Sequence, residues 1–555
     1  MTRSLHAFFF LSLLLITCLP AGPVQAQRSE GGVPLSFSLA LAPDPTGTIQ
    51  VTPPAREKLD AEDRQSPVPF RFSVNMPVSV DIHTDGNWIR TGSGDNVWRV
   101  RIEGRGAEAL ILYFDRFHLP EGGRLFVYNP GRTNLLGAFT GANNNRMSTF
   151  ATGLLAGDQV EVEYDAPSGV QAPELRISEV GYAYRGVAGP SGTLNGFKGS
   201  GDCQVNVNCT EGNGWQIQKR GVTRIAVKRG GGSVWCSGSL IDNARHDGTP
   251  YILTADHCGA LSTETDLSQW IFYFNYEATA CPVPDQEPAL TSLTGASLVA
   301  HGGNMGYNGS DFYMVRLNDS IPPSFNPYFN GWSRETIPAS PSGVCIHHPM
   351  GDIKKISTYT QPVDSAHWAG GIHFSHWRVG WSETNNGHGT TEGGSSGSPL
   401  FSNEGLIIGT LTGGESSCDS VKLNSPDYFG MFSYHWDRNG TDSASILKCW
   451  LDPDNTGVMK LKGWATSAPE EPFAGKVSVY PNPAGDYLKL RLPENATGTL
   501  RMKLMDVLGN CIVTANLEVS HGMEQEISLA GIRPGIYLLE LGDGKSHAVR
   551  KVIRQ

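Results

Sequence analysis

At 555 residues the chain is too long for one core, and its length suggests roughly three or four domains. With 66 Gly, 35 Pro and only 17% charged residues, turn-rich β structure is favoured over helical bundles. A formal net charge of -11, with no Lys/Arg block, argues against nucleic acid as the main partner.

The N-terminus carries Arg3, an apolar run from Ala7 to Leu19, then Pro20 and Val24-Gln25-Ala26. This pattern predicts a secretory signal peptide over residues 1–26, cleaved after Ala26. Cys18 invites a lipoprotein reading, which Thr17 before it disfavours. No later segment approaches the roughly 20 apolar residues of a membrane span. The mature chain is expected to be exported and soluble, where disulfides persist.

Residues 27 to about 60 are rich in Pro, Ala, Gly and Ser. From about 68 to 187, short stretches such as Phe70-Arg71-Phe72-Ser73-Val74 and Val97-Trp98-Arg99-Val100-Arg101-Ile102 recur. With Leu110-Ile111-Leu112-Tyr113-Phe114 and Val160-Glu161-Val162-Glu163-Tyr164, they predict a β-sandwich of about 120 residues between turns. It has no cysteine and no catalytic cluster, and its position suggests that 27–198 is a propeptide; the alternative is a permanent binding domain. Lys198, in a Gly-rich stretch just before Cys203, is a natural processing site.

Residues 199–464 hold Cys203, Cys209, Cys236, Cys258, Cys281, Cys345, Cys418 and Cys449. An even count in an exported chain points to disulfides, although spacing leaves the connectivity open. No Cys-x-x-Cys pair is present, which counts against structural zinc. After a 465–475 linker, the last 80 or so residues alternate strands and turns, as in Leu488-Lys489-Leu490-Arg491-Leu492, and predict a second small β-sandwich.

The chemistry concentrates in the central region. An apolar strand, Tyr251-Ile252-Leu253, delivers Thr254-Ala255-Asp256-His257-Cys258, so His257 is the candidate base. Asp311 precedes the apolar strand Phe312–Leu317 and is the candidate orienting acid; Asp256, adjacent to His257, is badly placed to bind that ring. The stretch Gly394-Ser395-Ser396-Gly397-Ser398-Pro399 supplies a nucleophile loop, with Ser396 as nucleophile and the Gly394 and Ser396 N–H groups as an oxyanion hole. The order His257, Asp311, Ser396 is that of chymotrypsin-type proteases, whose catalytic domain is a double β-barrel.

Residues 199 to about 460 resemble the lysyl endopeptidases of bacteria. The matching residues include the Cys203/Cys209 pair, Leu253–Gly259, Ser310-Asp311-Phe312, Ile346-His347-His348-Pro349, Gly394–Pro399, Gly413-Gly414-x-Ser416-Ser417-Cys418 and Trp450-Leu451-Asp452-Pro453. The resemblance implies bridges Cys203–Cys418, Cys209–Cys281 and Cys236–Cys258, each adding roughly 2–5 kcal/mol. Cys345 and Cys449 lie outside that pattern and are expected to pair with each other. The position six before the nucleophile, where trypsin-like enzymes often place a pocket acid, is Thr390. The resemblance moves that acid to Asp427, which would pair with a substrate ammonium; Glu392 is a weaker rival. Trp368 matches an aromatic beside the active site, and Thr412, before Gly413 and Gly414, replaces a histidine expected to stack on it. Ser395 stands where related zymogens have the aspartate that receives the new N-terminus, so that activation ion pair is excluded.

His347-His348 and His373/His376 do not form a metal motif, and no cofactor is expected. Residues 476–555 resemble the type A sorting domain of the type IX secretion system, through Tyr480-Pro481-Asn482-Pro483, Leu504-x-Asp506-x-x-Gly509, Ile532-x-Pro534-Gly535-Ile536-Tyr537 and Lys551-Val552-Ile553. The expectation is therefore an all-β, exported, monomeric serine endopeptidase that acts on proteins and peptides and is handled by the type IX machinery. Its preference is for lysine, with arginine or dual specificity as the near alternative. A catalytically silent surface adhesin is the alternative of another class.

Overall fold

The computed structural model describes residues 29–39, 47–65, 69–186, 197–337, 339–465, 477–491, 498–506, 511–519, 524–542 and 547–555. The signal peptide with Ala26, and all but the first residue of the 465–475 linker, lie outside them. Strands dominate, as expected of an all-β chain, and helices are short. The chain divides into two compact units, residues 1–464 and 465–555.

The first unit opens with a β-sandwich. Its strands include β1 (Phe70–Asp81), β2 (Asn96–Glu103), β3 (Ala109–His118), β4 (Arg124–Tyr128), β5 (Gln159–Ala166) and β6 (Glu174–Ala183). One sheet runs β2-β5-β4 and the other β1-β6-β3, all antiparallel. Alternate residues of β2 and β5 (Trp98, Val100, Ile102; Val160, Val162) meet Leu110, Leu112 and Phe114 of β3 in one core. Period-two patterning thus works as it should on the first sheet.

The second sheet departs from simple alternation for a physical reason. Ala109, Ile111 and Tyr113, on the opposite face of β3, enter a different core with Trp235, Ile271 and Tyr273 of the following region. The sheet is buried on both faces, so Leu110–Phe114 is continuously apolar instead of alternating.

The region that follows the sandwich has two β-rich halves. The first contains β7 (Val222–Arg229), β8 (Gly232–Ile241), β9 (Tyr251–Thr254), β10 (Ile271–Phe274), β11 (Thr291–Thr294), β12 (Ala296–Gly302) and β13 (Phe312–Leu317). They pair in the order β11-β10-β7-β8-β9-β13-β12. The second half contains β14 (Gly343–His347), β15 (Lys355–Tyr359), β16 (His376–Val379), β17 (Pro399–Ser402), β18 (Ile407–Gly414) and β19 (Asp427–Met431), ordered β15-β14-β17-β18-β19-β16. Among the described residues, no pairing between edge strands closes either sheet.

Three disulfides brace this region: Cys203–Cys418, Cys209–Cys281 and Cys236–Cys258. The expected Cys345–Cys449 bridge is not formed, and both are free thiols. Cys345 lies inside β14, buried against Ser398 Oγ at 3.1 Å, whereas Cys449 is exposed on the short helix Lys448–Leu451. One side chain points into the core and the other into solvent, so nothing brings the sulfurs together.

The second unit is a small sandwich with its own core of Leu488, Leu490, Leu500, Met502, Leu504, Leu539 and Leu541. Its sheets comprise Ser478–Tyr480, Tyr487–Arg491 and Glu524–Ser528 on one side, and Gly498–Asp506, Cys511–Val519, Gly535–Gly542 and His547–Arg554 on the other.

Candidate active site

The candidate base and acid arrive on neighbouring strands. β9 pairs with β13, and His257 follows β9 on the short helix Asp256–Gly259 while Asp311 immediately precedes β13. Asp311 has φ 59°, a left-handed conformation that aspartate tolerates better than most residues. Its carboxylate is fully buried and binds His257 twice. Oδ2 lies 2.8 Å from the ring Nδ1, and Oδ1 accepts the His257 backbone N–H at 2.9 Å. The other ring nitrogen, Nε2, is buried without a hydrogen-bond partner among the described residues. Asp256 is committed elsewhere: its oxygens meet His301 Nδ1 and the Met305 N–H, both at 2.9 Å.

Ser396 is tied to the same half through its backbone, and its hydroxyl makes no hydrogen bond to His257 Nε2. Its carbonyl accepts the Ser237 N–H at 2.8 Å, and Cys258 Sγ, next to His257, lies 3.9 Å from the same oxygen. Gly397 has φ 78°, and a Cβ there would strike Thr254 Oγ1 at 2.1 Å, so only glycine permits this approach. Gly394 has φ 96° and its carbonyl accepts the Ser237 hydroxyl at 2.9 Å. Among the described residues, the N–H groups of Gly394 and Ser396 donate to no protein acceptor.

The candidate nucleophile loop is anchored by residues that sequence patterning discounts. Ser395 Oγ lies 2.7 Å from His347 Nδ1, His347 Nε2 lies 3.0 Å from Ser357 Oγ, and Ser357 donates to the Thr390 carbonyl at 3.0 Å. Burial holds the His347 pKa down at about 3, with a smaller contribution from Lys355. A neutral network of hydrogen bonds therefore holds Ser395. The only hint in the sequence is Ser395 itself.

Asp427 opens β19 and is fully buried. Its Oδ2 accepts from Trp381 Nε1 at 2.7 Å, Thr391 Oγ1 at 2.7 Å and Ser416 Oγ at 2.6 Å; Oδ1 accepts the Ser416 N–H at 3.2 Å. Burial raises its pKa, partly offset by these hydrogen bonds. A Cβ on Gly414 would lie 1.9 Å from Asp427 Oδ1, so glycine is needed there. Trp368 packs across Gly413, where a Cβ would meet it at 3.0 Å, and edge-on to Tyr428 with ring centroids 5.8 Å apart. Thr412 does not stack on Trp368 as a histidine could; its hydroxyl lies 3.0 Å from Nε2 of the buried His376.

Glu392 faces another way, accepting the Gly201 N–H and Gln204 Nε2 at 3.1 Å. Thr390 Oγ1 also accepts from Gln204. Lys198 is exposed, with φ 65° and its N–H donating to Asp352 Oδ1 at 2.9 Å.

Residues 197–430 match the family model of the lysyl endopeptidase C-terminal domain, and residues 478–555 that of a secretion system C-terminal sorting domain. The lysyl endopeptidase of Pseudomonas aeruginosa is 26% identical over 467 residues, covering 77% of this chain and 97% of its own length. Among solved structures, the protease Anisep from Arthrobacter nicotinovorans aligns at 20% identity and a TM-score of 0.28, covering 39% of this chain and 91% of that one. Kallikrein-related peptidase 10 aligns at 14% identity and 0.26, covering 40% of this chain and 93% of its own. Residues 197–430 thus match a lysyl endopeptidase C-terminal domain, and the chain is a protease carrying a sorting domain that directs its export to the cell surface or beyond.

Proposed function

We propose that this protease cleaves peptide bonds on the carboxyl side of lysine, with Ser396, His257 and Asp311 as its catalytic triad. Ser396 Oγ attacks the scissile carbonyl while His257 Nε2 takes its proton. Asp311 holds the ring and stabilises the imidazolium that forms. The Gly394 and Ser396 N–H groups receive the oxyanion; losing one such donor costs roughly 10²–10³ in rate. His257 then protonates the leaving amine, and water releases the acyl group by the same route. In this reading residues 1–26 are a signal peptide, 27–198 a propeptide released at Lys198, 199–464 the protease and 476–555 the sorting domain.

The observation that carries the specificity is the state of Asp427. It is a fully buried carboxylate whose hydrogen-bond donors among the described residues are all neutral groups. Three donors already occupy Oδ2, leaving Oδ1 with one. A guanidinium binds best with two oxygens free, in a bidentate fork, whereas an ammonium acts as a point charge and needs one. This favours lysine over arginine.

A peptide-library digest read by mass spectrometry tests the reading. Cleavage should follow lysine and disappear with Ser396→Ala. Equal cleavage after arginine would remove the role given to the occupied Oδ2, and full activity of the alanine form would remove the triad.

A further inference from the structure

One edge of β8 leads directly to the nucleophile. The opposite edge is covered by β7 over Gly232–Ser239, from Val222 facing Ser239 to Arg229 facing Gly232. The edge toward Ser396 has three occupants in order. β9 pairs with Ser239–Ile241, the Ser237 N–H binds the Ser396 carbonyl, and β1 of the N-terminal domain pairs with Gly232–Trp235. β1 therefore ends its pairing two residues from the contact with the nucleophile.

The side chains of β1 extend this approach. Phe72 stacks on Trp235, with centroids 4.2 Å apart and planes inclined by 17°. Phe70 pairs with Trp235 in register, and its Cβ lies 3.0 Å from where a Cβ on Gly393 would stand. Gly393 directly precedes Gly394. Polar groups fasten the same contact: Tyr113 and Ser233 share a hydroxyl hydrogen bond of 2.9 Å, Gln269 donates to the carbonyls of Phe114 and Phe150, and Lys228 pairs with Glu179.

We propose that β1 closes, by strand addition, the Gly232–Trp235 edge of β8 along which the leaving-group side of a polypeptide substrate would otherwise lie. Asp427 takes the lysine in the second half of the protease, so the chain beyond the scissile bond leaves toward the first half, where β8 lies. An extended chain there needs the edge N–H and C=O groups that β1 already uses. Cutting the chain at Lys198 does not undo this contact, because none of these groups belongs to the linker. The N-terminal domain stays docked and restrains cleavage of long substrates, while a short substrate that ends at the leaving group is untouched. This rests on Ser396 and Asp427 acting as proposed above.

The test compares a lysyl chromogenic amide with a peptide carrying four residues beyond its lysine, on the full chain and on Phe70→Ala. The variant should raise kcat/KM for the long peptide about tenfold or more, as when a buried anchor is truncated, and leave the amide unchanged. Equal changes on both substrates, or none, would overturn the proposal. Should Phe70→Ala misfold, hydrogen exchange on the Ser396→Ala chain decides independently. Adding the long peptide should expose the amides of 70–74 to exchange, and unchanged protection would overturn the proposal. If wild type fails to cleave even the amide, the triad or pocket reading fails, and the exchange result still judges the docking edge.

Discussion

Asp311 holds His257 by two hydrogen bonds of different kinds, one to the ring and one to the backbone. The backbone bond fixes where the ring starts, and the ring bond fixes which nitrogen faces outward. Asp311→Asn keeps the shape but cannot accept both N–H groups with a charged oxygen. It should lower kcat by roughly 10⁴ with little change in KM, as steady-state kinetics would show. This residue was readable because an aspartate directly ahead of an apolar strand has few other roles. The cage around Asp427 was not readable, because Trp381, Thr391 and Ser416 lie 46, 36 and 11 residues away and meet only in the folded chain. Cys345 failed for a related reason: parity of cysteines carries no information about which way a strand side chain points.

Strand β14 and the residue after it carry His347 and His348, and β16 carries His376, all set aside in the sequence as non-metal residues; the helix Phe432–Asp437 adds His435. His347, His348, His376 and His435 are all buried, and burial depresses each of them, to about 3 for His347 and about 4 for His376. Above about pH 6.5 neither the folded nor the unfolded chain protonates these rings, so they add no pH dependence. Between that value and their folded pKa the unfolded chain binds protons and the native chain does not. Stability therefore falls as the pH falls, by up to about 1.4 kcal/mol per pH unit for each histidine. Urea unfolding at pH 7 and pH 5 should show this loss, and His347→Gln should reduce its slope. A slope unaffected by that change would mean His347 is protonated in the native state. The continuous apolar run in β3 teaches the same lesson about elements. Its composition already signalled burial on two faces, but only the fold shows that the second face belongs to the protease.

At the scale of the molecule, the sequence divided the chain by composition, and the fold joins what composition separates. The sandwich and protease region share a sheet through β1 and β8 and a core around Trp235. Strand pairing between segments 160 residues apart leaves no periodic trace, so this junction was beyond reach of patterning. The pairing of His257 with Asp311 was within reach because each sits in its own local motif. What unites these levels is the claim that one buried, caged carboxylate chooses the substrate for a serine nucleophile. The most direct measurement is kcat/KM for three peptides that differ only in Lys, Arg or Leu at the cleaved position, on wild type and Asp427→Asn. Wild type should prefer lysine, and the variant should lose about 10²–10⁴-fold on lysine alone, the cost of breaking a buried ion pair. A variant that still prefers lysine as strongly as wild type would contradict the account.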